Sequence, residues 1–147
     1  MNSQESVSTA SAPPVSIGEA PLLRFALKLD AVTTGLGGIA YVAAYSLLDG
    51  WLGLPGGLLV AVGVALAAYG LLVWHLATRP GMPRVAVWAV IAANTVWVVD
   101  SFLLLAIDGF SPTTAGQIAI AAQAVAVAGY AALQYIGLRR ASMFSRT

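Results

Sequence analysis

Four long apolar segments, separated by short stretches that contain glycine, proline or charged residues, make up most of the chain. They cover residues 22–48, 56–77, 85–107 and 115–138. A helix of about 20 apolar residues crosses the ~30 Å hydrocarbon core of a bilayer, and each segment is long enough to do so. The pattern therefore predicts an all-α fold, a membrane four-helix bundle with short loops, formed by residues 21–140.

The composition indicates the same class of protein. Hydrophobic residues make up 59% of the chain and charged residues only 9%, whereas soluble domains carry about 25% charged residues. A soluble fold would lack the polar groups needed to cover its surface. Residues 1–20 are rich in Ser, Thr, Pro and Ala and hold little large apolar surface, so we expect a disordered N-terminal tail there.

The basic residues predict the orientation of the bundle. All seven Lys and Arg residues fall at the start of the first segment, between the second and third, or after the fourth: Arg24, Lys28, Arg79, Arg84, Arg139, Arg140 and Arg146. With four spans these three places lie on one side of the membrane, and basic residues mark the cytoplasmic side. We therefore expect both the 1–20 tail and the short basic tail, residues 141–147, to be cytoplasmic.

The polar residues inside the apolar segments are the candidates for a functional site. A carboxylate at the depth of Asp100 costs roughly 2.5–3.5 kcal/mol to insert, and such a group normally faces a partner, a cavity or water. Counted inward from the outer helix ends, Asp100 and Tyr41 both lie ~10 Å deep, and two glutamines bracket that level. The predicted intramembrane polar site comprises Asp100, Asn94, Tyr41, Gln123 and Gln117.

Two further polar groupings follow from the same depth counting. Thr34 and Tyr69 share a level ~20 Å from the outer ends with Asn94. Nearer the cytoplasm, Asp30 and His75 form a predicted cytoplasmic-side polar cluster. Depth does not determine which way each helix faces, so three roles stay open for Asp100: a structural hydrogen bond, a ligand, proton or ion site, and a contact with a partner subunit.

Several classes of chemistry are absent from the sequence. There is no cysteine, which excludes disulfides and thiolate metal sites, and the single histidine excludes a multi-histidine metal or haem site within one chain. A formal net charge of +1 provides no field that would attract nucleic acid. No nucleophile–base set, phosphate-binding loop or carboxylate pair occurs at a credible spacing. We therefore predict no catalytic residue and no metal ligand, and the sequence indicates no particular cofactor.

Three stretches carry a resemblance: LRFALKLDAVTTGLGGIAYVAA, ATRPGMPRVAVWAVIAANTVWVVDS, and an alanine-rich helix that ends in LQYIGLRR. Together they resemble small four-helix bacterial integral membrane proteins of unassigned function. A looser likeness to DoxX-like membrane proteins rests on the number of spans and the size. The resemblance implies a bundle in the bacterial cytoplasmic (inner) membrane and brings no catalytic residues.

The expected function is therefore non-enzymatic. We expect a small subunit, or a bundle that binds a membrane partner or a lipophilic molecule, with membrane lipids and a partner protein or a second copy of the chain around it. The alternative is an oligomeric transporter, or a proton- or ion-coupled protein, that uses the carboxylate of Asp100. Solute flux that disappears in Asp100→Asn would favour this alternative.

Overall fold

The structure, a computed structural model, describes residues 15–16, 20–107 and 109–144. It contains five helices: α1 (Pro21–Ala43), α2 (Tyr45–Leu52), α3 (Gly56–Thr78), α4 (Arg84–Ala106) and α5 (Thr114–Phe144). A two-residue strand β1 (Val15–Ser16) pairs antiparallel with β2 (Gly81–Met82). The all-α class is confirmed. Apart from residues 15, 16 and 20, the predicted disordered tail lies outside the described residues.

The first predicted segment is broken in the structure. Residues 22–48 do not form one helix, because α1 ends at Ala43 and α2 leaves it at an angle of 95°. A helix of 23 residues is already ~34 Å long, which is enough for a bilayer core. The chain bends at Ala44, and α2 carries exposed Tyr45 and Trp51, residue types that are typical of a membrane interface.

Three helices, α3, α4 and α5, are each long and apolar enough to cross a membrane, and a fourth span is counted if α1 and α2 are taken together. α3 and α4 occupy nearly the same residues as the second and third predicted segments. α5 is longer than predicted, because it continues past Leu138 and through Arg139 and Arg140 to Phe144. Part of the predicted 141–147 tail is therefore helical.

The four long helices pack in the order α3, α1, α5, α4, and the first and last of these leave a gap between them. α1 packs closely against α3 on one side and α5 on the other, and α4 packs closely against α5. α3 and α4 approach each other at few points, although only a short connection separates them in sequence. The close packing of α1 on α3 involves glycines: a Cβ added to Gly38 would lie 2.6 Å from the carbonyl oxygen of Gly63.

One end of the bundle, which we call the basic end, holds Arg24, Lys28, Arg79, Arg84, Arg139 and Arg140. There Arg24 donates to the backbone carbonyls of Ala77 and Arg79, where α3 ends. A cation at this position also suits the negative end of the helix dipole. Met82, in the connection between α3 and α4, is fully buried in an apolar core with Leu23 and Leu138, so this connection covers the basic end.

The opposite end is closed by α2 and the start of α5. Gly53 ends α2 with a φ of 69°, a left-handed conformation that glycine adopts without strain. Thr113 donates its hydroxyl to the carbonyl of Trp51 at 2.6 Å and its backbone N–H to Leu52 at 3.0 Å. The same hydroxyl accepts from the N–H of Gly116 at 3.1 Å and so caps α5.

Candidate functional site

A buried polar cluster at the middle of the bundle is centred on Asp30. This residue is completely buried. Its Oδ2 accepts hydrogen bonds from Asn94 Nδ2 at 2.7 Å and from Gln134 Nε2 at 2.8 Å. Its Oδ1 accepts from the hydroxyl of Thr34 at 3.0 Å. The carboxyl of Asp30 therefore links α1 to both α4 and α5.

The cluster extends to α3 through Tyr69. The Tyr69 hydroxyl donates to Asn94 Oδ1 at 2.9 Å, and Asn94 Nδ2 also contacts Gln134 Oε1 at 3.2 Å. We call Asp30, Thr34, Tyr69, Asn94 and Gln134 the mid-bundle cluster. Except for Thr34, each member lies ~14–15 Å along its helix from the end of that helix at the basic end.

The mid-bundle cluster is largely saturated by its own hydrogen bonds. Both amide hydrogens of Asn94 face acceptors, and Asp30 receives three donors. A buried polar group costs free energy unless it is hydrogen-bonded. This network supplies hydrogen-bond partners to buried polar side chains of four helices. Its arrangement is that of a structural element that fixes α1, α3, α4 and α5 relative to one another.

His75 lies away from this cluster. It is exposed near the end of α3, whereas Asp30 is buried, and within the described part of the chain no hydrogen bond or ion pair joins the two. The structure therefore does not bring together the predicted cytoplasmic-side pair. Nor do the described residues contain a group of three or more His, Asp or Glu side chains that could hold a metal ion.

Two adjoining cavities occupy the cleft that α3 and α4 leave open. The outer cavity, toward the α2 end, has a volume of about 170 Å³ and includes Tyr41, Asp100 and Ser101 in its wall. The inner cavity, of about 290 Å³, is lined by Thr34, Tyr69 and Asn94 among others. Both are lined by Trp97 and Gln123. We call the two together the α3–α4 cleft.

Several side chains that line the outer cavity carry polar groups without a partner among the described residues. Tyr41 donates its hydroxyl to Gln123 Oε1 at 3.0 Å, which leaves the Gln123 amide N–H groups without an acceptor among the described residues. Asp100 is exposed on α4, and its carboxyl likewise has no hydrogen bond or ion pair within the described residues. The same holds for the indole N–H of Trp97. Unlike the mid-bundle cluster, this site leaves a carboxyl group and two donor groups without a partner among the described residues.

The predicted polar site is thus divided by the structure. Asp100, Tyr41 and Gln123 line the outer cavity together. Asn94 belongs to the mid-bundle cluster and faces the inner cavity. Gln117 lies apart, exposed near the start of α5, where its side chain donates to the carbonyl of Pro112 at 3.3 Å.

Gln134 is the residue of these sites that sequence reasoning missed. Gln134 was hidden by the predicted end of the fourth segment at residue 138, which places it near the membrane surface. Since α5 continues to Phe144, Gln134 lies ~15 Å inside, level with Asp30. Trp97 is one of four aromatic residues, with Tyr41, Tyr69 and Tyr130, that the sequence offers as candidates for binding a lipophilic molecule, with ordinary core packing as the alternative.

Comparisons with protein-family models, with curated proteins and with solved structures found no match for this chain. The resemblance to small four-helix bacterial membrane proteins stays a prediction.

Proposed function

We propose that the chain is a four-span protein of the bacterial cytoplasmic membrane with both termini in the cytoplasm. The α1–α2 unit would form the first span, with α2 lying along the outer surface. Three apolar helices of sufficient length support the proposal, as does the gathering of the described Lys and Arg residues at one end of the bundle. The connection at residues 78–84 would then face the cytoplasm.

Labelling of single cysteines tests this orientation, and the absence of native cysteine makes the background clean. Ser111 and Met143 are both exposed and lie at opposite ends of the bundle. In intact cells we expect a membrane-impermeant maleimide to label Ser111→Cys, and to label Met143→Cys only after permeabilisation. The reverse pattern would invert the bundle, and labelling of both without permeabilisation would show that α5 does not cross the membrane.

We further propose that the protein is not an enzyme and binds a lipophilic molecule in the α3–α4 cleft. The observation that carries this proposal is the cleft itself, whose walls are mostly apolar and whose unpaired polar atoms are few. Small-molecule sites in proteins have this character and occupy about 300–1,000 Å³, and the inner cavity alone measures about 290 Å³. Because the cleft lies between two helices that would face the bilayer, the ligand would enter sideways from the lipid.

Filling the cleft tests the proposal. Ala92 and Ala93 are neighbours on α4 and both are exposed, but only Ala93 lines the inner cavity. Native mass spectrometry of gently extracted protein should show a small-molecule mass on the wild type and on Ala92→Trp. The same mass should be lost from Ala93→Trp. Equal retention by both variants, or a bare wild-type chain, would contradict a ligand in the cleft.

The exposed carboxyl of Asp100 favours a second candidate, an oligomeric transporter or ion-coupled protein. Four helices are few for a pathway through one chain, so this function would require a complex of several copies. In the same spectra, a mass equal to a multiple of the chain, without a small molecule, would favour this reading. Flux through reconstituted protein that is lost in Asp100→Asn would then establish it.

A further inference from the structure

Asp100 is the one charged side chain among the described residues that line the α3–α4 cleft. It lies ~9 Å from the end of α4 at Ala106. Its carboxyl has no hydrogen bond or ion pair within the described part of the chain. A carboxylate within a membrane span is costly unless a partner or water compensates it. An ionised Asp100 would place a negative charge beside an apolar cavity, and no group among the described residues compensates it.

A second copy of the chain cannot easily supply a compensating group. The described Lys and Arg residues all lie at the basic end of the bundle, and His75 is near the same end. A copy inserted in the same orientation would therefore present its cations far from the level of Asp100. An anionic ligand is disfavoured as well, because no basic residue lines either cavity.

The outer cavity has the wall that a lipophilic cation requires. Tyr41 and Trp97 line the same cavity as Asp100, and the faces of aromatic rings attract ammonium groups, tryptophan most strongly. The remaining wall is largely aliphatic: Leu54, Leu58, Leu59, Val62, Leu104 and Ile120. We propose that the outer cavity binds a lipophilic monocation, an amine or quaternary ammonium group with an apolar substituent, whose charge is compensated by Asp100. This inference rests on the proposed role of the cleft.

The residues that line the two cavities indicate which part of the ligand each cavity would hold. The ammonium group would lie beside Asp100 and Trp97 in the outer cavity, and a longer apolar substituent would extend past Trp97 and Gln123 into the inner cavity. The mid-bundle cluster would form part of the inner wall without contributing a charge, because Asp30 lines neither cavity.

The test uses two small probes of similar size and opposite charge. Calorimetric titration of the full-length protein in a neutral detergent would compare benzyltrimethylammonium with phenylmethanesulfonate. We expect saturable binding of the cation and none of the anion. Asp100→Asn should weaken binding of the cation at least tenfold. Asp49→Asn removes the same charge from an exposed site on α2 outside the cavities, and it should leave the affinity unchanged.

Substitutions of Trp97 test the aromatic contribution separately. Trp97→Leu should weaken binding several-fold, and Trp97→Phe should restore part of the loss. Equal binding of both probes, or equal affinity in Asp100→Asn and wild type, would overturn the inference. If benzyltrimethylammonium does not bind, while Ala93→Trp still loses a copurified mass, the cationic ligand is refuted and the lipophile-binding function stands. If neither is seen, both fail.

Discussion

Asp30→Leu is expected to lower the free energy of unfolding by about 1–3 kcal/mol. The substitution removes the acceptor for Thr34, Asn94 and Gln134. A buried donor left without an acceptor costs about 1–3 kcal/mol. Asn94 keeps its contact with Gln134 Oε1 and Thr34 can turn to a backbone carbonyl, so the loss falls mainly on the amide of Gln134. The figure also allows for hydrogen bonds in membrane bundles averaging only about 0.6 kcal/mol each.

Asp30→Asn is the matched control. Its side-chain oxygen can accept from Asn94 and Gln134 in place of Oδ2, and its amide can donate to the hydroxyl of Thr34. We therefore expect a loss of less than about 1 kcal/mol for this variant. Both would be measured by titrating the protein from a mild detergent into dodecyl sulfate and following helix loss by circular dichroism. Wild-type stability in Asp30→Leu would show that the mid-bundle cluster does not hold the helices together.

The contrast between the two aspartates shows what depth counting can predict and what it misses. Asp100 draws attention because it interrupts a long apolar run, yet it is exposed and has no hydrogen bond or ion pair with any residue that the structure describes. Asp30 lies closer to the basic end and is completely buried. Whether a side chain points inward depends on the rotation of its helix, which is determined by the neighbouring helices. The sequence of one helix does not contain that information.

The fold itself was easier to predict than the site. Length and apolar composition are enough to identify α3, α4 and α5, because a span needs about 20 apolar residues. The break at Ala44 was missed, since the sequence there has no proline and stays apolar up to Leu48. What distinguishes α2 is that α1 is already long enough to span the bilayer, and that Tyr45, Asp49 and Trp51 suit an interface. The length of α1 relative to the bilayer therefore indicates the break at Ala44 better than the helix propensity of the residues around it does.

The small residues on α1 also show that the sequence of one helix does not determine which of its faces contacts a given neighbour. Gly37 shares one helical face with Thr34 and Tyr41, and from the sequence this stripe suits either packing against a neighbouring helix or the wall of a pocket. In the structure this stripe lines a cavity between α1 and α5. Gly38, one position further along, contacts the backbone of α3. A rotation of ~100° separates the two positions, and the sequence alone does not distinguish between them.

Gly38→Ala is therefore expected to be far more damaging than Gly37→Ala. A Cβ at Gly38 would lie 2.5 Å from the backbone N of Ala67 and 2.6 Å from the backbone O of Gly63, whereas a Cβ at Gly37 meets nothing within 4 Å. Backbone atoms cannot turn aside as side chains do, so α1 and α3 must separate. Overpacking of this kind costs about 1–3 kcal/mol or more, which outweighs the ~1 kcal/mol that alanine gains over glycine within a helix.

The two variants differ by one position and add the same methyl group, so the difference between their unfolding free energies isolates the contact between α1 and α3. We expect Gly37→Ala to be neutral or slightly stabilising, and Gly38→Ala to lose about 2 kcal/mol. Because α1 also carries Asp30 and Tyr41, its displacement should loosen the mid-bundle cluster and the outer cavity together. Binding of benzyltrimethylammonium, if it depends on Asp100, should then weaken in Gly38→Ala and not in Gly37→Ala. Equal stability of the two variants would mean that α1 and α3 do not approach each other through Gly38, and that the helices around the cleft are arranged differently.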